Sequence, residues 1–388
     1  MVVERTSGRY VRQAAGYRAF IPAPLPPIPG IEIDAEMQAL LSRADRALGR
    51  LDGSIQTLPN PGLFVFMYVR KEAVLSSQIE GTQASINDLL EVEARVFDPK
   101  HPKDVGEVLN YVLAMNHGME RLETLPLSLR LLREIHERLM QGVRGNEMKP
   151  GEFRTSQNWI GPQGGALMDA SYVPPPHGEL LNHLGAFETF LHVDIDMPPL
   201  IKIGLAHAQF ETIHPFLDGN GRVGRLLITF LLCQQEILTK PVLYISHYLK
   251  GHRQRYYELL QGTRDNGDWE AWLKFFLAGV SDVSNEATET ARRIVNLREG
   301  HRQLIARKFG RTAGNAFTTL EHLYRHPIIT VNEVAELLGT TYQSANNLMA
   351  KFHEEQLVQE VTGHARNRRF SYSSFIRLFS DGGEEAED

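Results

Sequence analysis

The sequence predicts a mainly α-helical protein with a short β flap near its middle and a winged helix-turn-helix near its end. Three observations predict it. Apolar residues recur at helical spacing over most of residues 33–290. That spacing breaks between Gly151 and Pro176 into a stretch rich in glycine, proline and β-formers. From about Arg311 the texture changes to helix, glycine turn, helix and two β-prone runs.

The elements follow in order. Residues 1–30 end in Ile21–Gly30, IPAPLPPIPG, an extended arm that its prolines keep from being helix. Tyr17, Phe20, Ile21 and Leu25 let that arm pack onto the body. Asp34 is placed to cap a first helix, and Pro61 to open a second, GLFVFMYVRKEAVLSSQI, which Gly81 ends. Asp104–Leu122 and Ser128–Val143 read as two more helices. The broken stretch reads as two short strands about Gly164–Gly165, closed by Pro174–Pro176. Helices resume at Leu180–Leu191, Leu200–Ile213 and Asn220–Glu236, the last apolar nearly all round and so expected at the buried centre. Gly251–Gly262 and Trp269–Thr290 close the body.

The bounds expected from this pass are an arm at 1–30 and an N-terminal helical region at 31–126. A core at 127–280, a linker helix at 281–310, a winged helix-turn-helix at 311–379 and an acidic tail at 380–388 follow. A chain of 388 residues is too long for one ordinary core, which agrees with several domains. One cysteine, Cys233, excludes an internal disulfide framework and argues against a cysteine metal site. The longest apolar run, LLITFLLC, is too short to span a bilayer, and the N-terminus shows no apolar leader, so a cytoplasmic protein with no membrane partner is expected. The net charge of −6 means that any basic surface is local.

The informative stretch is Ile213–Arg225, IHPFLDGNGRVGR. It sets a histidine at a helix end, an acid four residues on, and Gly219-Asn220-Gly221 leading into the next helix. Glycines let consecutive N–H groups curl inward as an anion nest, and the helix start adds partial positive charge. Arg222 and Arg225, three apart, project from one face of that first turn. The arrangement suits a polyphosphate, with Asp218 near enough to hold the accompanying Mg²⁺.

At this point the chain resembles the Fic (Fido) family, whose pattern is His-x-Phe-x-Asp/Glu-Gly-Asn-Gly-Arg-x-x-Arg. His214, Phe216, Asp218, Gly219, Asn220, Gly221, Arg222 and Arg225 match it without a gap. The resemblance implies a Fic helical core and protein adenylyl transfer, with ATP as co-substrate. His214 would be the general base toward a Ser, Thr or Tyr hydroxyl of a target protein. Asp218 would hold Mg²⁺, Asn220 would steady the α-phosphate, the Gly219–Gly221 amides and Arg222 would bind the phosphate chain, and Arg225 would fix the γ-phosphate. The same comparison implies a target-pairing flap at Asn158, Trp159, Ile160 and Gly161 with Tyr172–Pro175. It places an adenine-side wall at Tyr256, Tyr257 and Arg264–Asp268.

Upstream, Ser76-x-x-x-Glu80-Gly81 resembles the family's inhibitory helix motif. Glu80 would take the guanidinium fork of Arg225 that a γ-phosphate needs, with Ser76 bracing the same region. AMP removal, with the inhibitory glutamate aligning water, is a second direction that this motif leaves open.

The winged helix leaves the partner open as well. If it met DNA, Thr340–Phe352 would be the recognition helix, with Gln343, Ser344, Asn346 and Asn347 facing bases and His364, Arg366, Arg368 and Arg369 facing phosphates. Glu354 and Glu355 follow that helix and argue equally for a protein-contact role. The competing class is therefore a transcription regulator whose Fic body senses a nucleotide. A third reading keeps the fold and transfers phosphate or phosphocholine. Self-modification and a homodimer are further expectations.

Overall fold

The computed structural model describes residues 6–56, 58, 61–94, 102, 104–143, 148–162, 164–363 and 368–380. The arm folds as an antiparallel hairpin, β1 (Gly8–Arg12) and β2 (Arg18–Pro22), with Tyr10 opposite Phe20. The proline-rich run that follows carries the chain, bent at 25–26 and 28–29, to the first helix.

Two groups of helices form the body. The first comprises α1 (Ala35–Gln56), α2 (Pro61–Ile79), α3 (Ile86–Glu93), α4 (Val105–Leu122) and α5 (Leu129–Met140). Their starts follow local chemistry. Asp34 accepts from the Met37 amide at 2.8 Å, and Ser85 with Asp88 builds a reciprocal capping box. The second group holds α6 (Leu180–His192), α7 (Pro199–Ile213), α8 (Asn220–Gln234), α9 (Ser246–Gly251), α10 (Arg253–Asn266) and α11 (Trp269–Lys308). Helix α8 is buried almost throughout, as its unbroken apolar surface requires, and packs against α7 and α4.

Helix α11 corrects one expectation. It runs 40 residues without a break, so the body helix expected to end at Thr290 and the linker helix expected at 281–310 are one continuous helix, whose far part bonds Glu321 and Tyr372 of the winged helix. No proline interrupts it, and Ala287, Ala291 and Ile294 keep its inner face buried against the rest.

The flap corrects another. Instead of two strands about Gly164–Gly165, the segment closes through one antiparallel bridge, Ile160 with Tyr172, and a single 3₁₀ turn at Leu167–Asp169. Pro162 and Pro174–Pro176 withhold ladder donors, and Gly164 sits at φ 76°.

Beyond α11 come α12 (Ala313–Leu323), β3 (Ile328–Thr330), α13 (Val331–Leu338), α14 (Tyr342–Glu354), β4 (Gln359–Glu360), β5 (Arg369–Ser371) and α15 (Ser373–Ile376). The strands form one antiparallel sheet in the order β3, β5, β4. Thr330 and Glu333 box the start of α13, and Gly339 at φ 58° makes the turn into α14. This is a winged helix-turn-helix. It is docked, not tethered: Phe379 meets Tyr68 of α2 edge-on at 5.4 Å, and the Arg369 guanidinium donates to the Ala94 carbonyl. Arg369 is therefore turned to the body and not outward to a phosphate. His364, Arg366 and the tail from 381 lie outside the described residues.

Candidate active site

The phosphate turn sits between α7 and α8. His214 ends α7 in a left-handed conformation, φ 50°, which breaks the helix and turns the chain. Gly219, at φ 77°, precedes α8, and no side chain caps that helix start. A side chain at 219 would also strike Met140, its Cβ 2.9 Å from the sulfur.

Several groups hold this turn rigid. Asn220 spends both ends of its amide on Phe216: Oδ1 accepts from the Phe216 amide and Nδ2 donates to the Phe216 carbonyl, both at 2.8 Å. Asn158 donates to the same carbonyl at 2.7 Å. His136 stacks on Phe216 with centroids 3.8 Å apart, accepts from the Gly151 amide at 2.9 Å, and lies 3.0 Å from the Asp218 carbonyl. The two bonds fix its tautomer, Nδ1 accepting and Nε2–H donating to Asp218. Burial pushes the His136 imidazole down to about 4, so it stays neutral. Arg154 donates to the His214 carbonyl at 3.0 Å and to the Pro175 carbonyl at 2.6 Å, joining the turn to the flap.

A cavity of about 850 Å³ opens over the turn. His214, Asp218, Gly219, Asn220, Gly221, Arg222 and Arg225 line it, with Glu80, Trp159, Ile160, Gly161, Tyr256, Tyr257 and Arg264. Thus most of the residues singled out in the sequence are brought to one space. Asn158, Ser76, Phe216, Val173–Pro175 and residues 266–268 are not in its wall. Asn158 is buried beneath the turn, and Ser76 stands behind Arg225. The Asn158 side chain therefore braces the turn.

Arg225 is fully buried yet carries three bonds. Its Nε donates to Ser76 Oγ at 2.7 Å, and its Nη2 donates to the Ser76 carbonyl at 3.0 Å and to Glu80 Oε1 at 2.6 Å. Burial works to raise the Glu80 carboxyl, but the charge and hydrogen bond of Arg225, with Arg222 and His214 nearby, together outweigh it and hold the group below its usual range. Gly221 makes the room, since a Cβ there would stand 2.2 Å from Glu80 Oε1. Arg222 is engaged elsewhere: its guanidinium pairs with Glu107 at 3.1 Å and touches the Met140 sulfur at 3.4 Å. In this state neither the Arg222 fork nor the Asn220 amide is turned over to a phosphate.

His214 is mostly buried, with 16% of its side chain exposed. Its Nδ1 has no hydrogen-bond partner among the described residues and lies 4.0 Å from Glu211 Oε2. Burial, with Arg264 and Arg154 nearby, pushes its imidazole down to about 3. Glu211, also in the wall, is raised to about 7 by burial. Sequence reasoning missed Glu211, His136 and Arg154. The one available signal was a cluster of buried-type positions carrying polar residues at 207–212.

The adenine-side expectations divide. Tyr257 is 41% exposed. Tyr256 is buried and its hydroxyl bonds His207 Nε2 at 2.9 Å, which makes it a packing residue with a satisfied polar tip. Arg264 lies over the Tyr172 ring at 3.8 Å and donates to Thr212 Oγ1 and the Glu211 carbonyl, both at 3.3 Å. Among the described residues no cluster of three or more His, Cys, Asp or Glu forms a metal cage. Asp218, whose Oδ1 accepts from the Gly219 amide at 2.6 Å, fits the single carboxylate that a nucleotide's Mg²⁺ ordinarily takes from protein.

A helical body with a glycine turn, a buried histidine and an upstream glutamate on the second arginine defines a class. The comparisons give that class a family. Residues 38–120 match the Fic/DOC family N-terminal model, 126–232 the Fic/DOC family model and 311–369 the MarR family model. The chain carries the two-part Fic/DOC family body followed by a MarR-like winged helix. It is 28% identical over 250 residues to a Drosophila yakuba protein adenylyltransferase Fic, covering 62% of this chain and 46% of that one. It is 31% identical over 204 residues to a Culex quinquefasciatus protein adenylyltransferase Fic, covering 51% and 37%. The chain thus spans less than half the length of these curated relatives. A Fic family protein from Desulfovibrio desulfuricans G20 shares the fold at a TM-score of 0.60 and 20% identity, over 88% of this chain and 97% of its own.

Proposed function

We propose that this protein transfers AMP from ATP to a hydroxyl of a protein target, and that Glu80 restrains it. The observation that carries this reading is the Glu80–Arg225 pair at 2.6 Å, made inside the cavity that His214 and the uncapped start of α8 also line. A carboxylate there mimics the anion that an arginine fork and helix start are suited to bind.

The reaction is a displacement at the α-phosphorus. The target oxygen bonds to that phosphorus, the bond to the pyrophosphate oxygen breaks, and pyrophosphate leaves. His214, neutral because it is buried among cations, takes the hydroxyl proton. Asp218 would hold Mg²⁺, which supplies charge neutralisation on the phosphates. Arg225, once released by Glu80, holds the terminal phosphate, and the turn braced by His136, Asn158 and Asn220 fixes the angle of approach. Trp159 and Ile160, 40% and 37% exposed on the flap, are surfaces for the target chain.

The test uses purified protein, labelled ATP and Mg²⁺. Glu80→Gly should raise incorporation on the order of tenfold or more, as expected when a misaligned phosphate is freed. His214→Ala in that background should abolish it. Equal labelling by wild type and Glu80→Gly would remove the brake from this account. Incubating AMP-modified target with the wild type checks the reverse direction.

DNA is a second partner that one feature favours. Helix α14 exposes Gln343, Ser344 and Asn347, with Tyr342 48% exposed and Arg368 bonded to Asn346 at 2.5 Å. A duplex shift that weakens steeply with salt would support it.

A further inference from the structure

The N-terminal hairpin reaches both walls of the catalytic cavity. On one side Tyr10 donates to Asp265 Oδ1 at 2.8 Å, and Gln261 Nε2 donates to the Tyr10 hydroxyl at 3.0 Å and to Asp265 Oδ1 at 2.9 Å. Gln261 and Asp265 are in the cavity wall, on the C-terminal half of α10. On the other side the Phe20 amide donates to the Val173 carbonyl of the flap at 2.9 Å. Because Tyr10 and Phe20 are opposite one another, a single cross-strand pair ties the two walls together, ring against ring at 5.0 Å. Phe20 also meets Tyr172 at 6.3 Å and is itself 1% exposed.

We propose that this hairpin is a clamp that positions the nucleotide-base end of the cavity, with Tyr10 as its positioning residue. The inference rests on the adenylyl-transfer reading for the identity of the nucleotide. With the phosphates at the start of α8, the base lies along α10, where Tyr257, 41% exposed, offers a ring face for stacking. Gln261 and Asp265 form the polar edge of that end, and both are exposed or half-exposed groups that would otherwise sample several rotamers. Tyr10 fixes them in one arrangement. Burial and the neighbouring Asp265 raise its phenol to about 12, so it remains a donor through the working pH range.

The experiment places Tyr10→Phe, Asp265→Asn and the pair of them in the Glu80→Gly background. The phenylalanine keeps the ring against Phe20 and removes only the hydroxyl. Tyr10→Phe should raise KM for ATP about fivefold while kcat stays within about twofold, the size expected for one hydrogen bond that orders a binding surface. The melting temperature should not move, and Asp265→Asn should add little to Tyr10→Phe, because the two act as one unit. An unchanged KM, or effects that multiply as if independent, overturns the clamp while leaving adenylyl transfer standing. A Glu80→Gly parent that labels nothing defeats the transfer reading instead. In that case calorimetric titration with ATP reads the same comparison as a fivefold change in Kd, and an absence of ATP binding overturns both.

Discussion

The carboxylate of Glu80 occupies the space that a Cβ on Gly221 would fill, with 2.2 Å between the two positions. The Glu80 oxygen therefore stands against the start of α8, where we propose that a phosphate binds. If that oxygen stands where a phosphate oxygen comes, a methyl group at 221 obstructs both. Gly221→Ala in the Glu80→Gly background should raise KM for ATP about tenfold or more, since reacting groups displaced by an ångström lose on that order. Steady-state labelling over an ATP series checks it.

His136 and Phe216 form the floor of the turn. Replacing His136 with Ala removes the stacked ring and leaves the Gly151 amide and the Asp218 carbonyl without it. The expected cost is about 2–4 kcal/mol of stability, in line with losing a buried ring and two buried hydrogen bonds. Denaturant unfolding measures that cost, and labelling in the Glu80→Gly background should fall with it.

Arg154 fans out to four carbonyls, those of His214, Ile213, Pro175 and Ser156, at 3.0, 3.4, 2.6 and 3.4 Å. Lysine brings the charge but not the planar fork. Arg154→Lys should loosen the flap without unfolding the chain, so the amides of Ile160 and Tyr172, which bond each other's carbonyls, should exchange hydrogen faster than in the parent.

Glu72 gives a prediction in pH. It is buried, accepts from Ser246 Oγ at 2.6 Å and the Ser246 amide at 3.1 Å, and burial raises it to about 7. The folded state therefore holds a proton that the unfolded state has released between about pH 4.5 and 7, so ionising Glu72 costs stability as pH rises through that window. Glutamine keeps the shape and can accept from the Ser246 amide while donating to Ser246 Oγ and Tyr111. Glu72→Gln should melt above the parent at pH 8, and the advantage should fade toward pH 5. Buried His136, His207 and His214 act in the opposite sense, since their lowered values make the unfolded state the stronger proton binder below about pH 6.5. They are common to both proteins and cancel from the comparison.

Much of this was legible because the chemistry is contiguous. Residues 213–225 put base, nest and arginines on one helix-turn-helix stretch, where spacing alone predicts proximity. Helix boundaries at Asp34, Pro61, Ser128 and Gly339 were legible because caps act within a few residues. What spacing could not show was which groups spend their hydrogen bonds elsewhere. Asn220 turns back on Phe216, and Arg222 meets Glu107 across 115 residues of sequence. The hairpin was missed for a related reason. The proline run after it reads as plain extended chain, and the bond from Phe20 to Val173 of the flap spans more than 150 residues.

The seating of Phe379 on Tyr68 bears on how this protein can be handled. Tyr68 also stacks on Tyr244 at 5.6 Å, and all three rings are at most 2% exposed. A catalytic fragment cut after Lys308 would bare that aromatic surface on the helix that bears Ser76. Such a fragment would be prone to self-association. Work on the isolated catalytic part therefore calls for a polar replacement at position 68, or for keeping the winged helix in place.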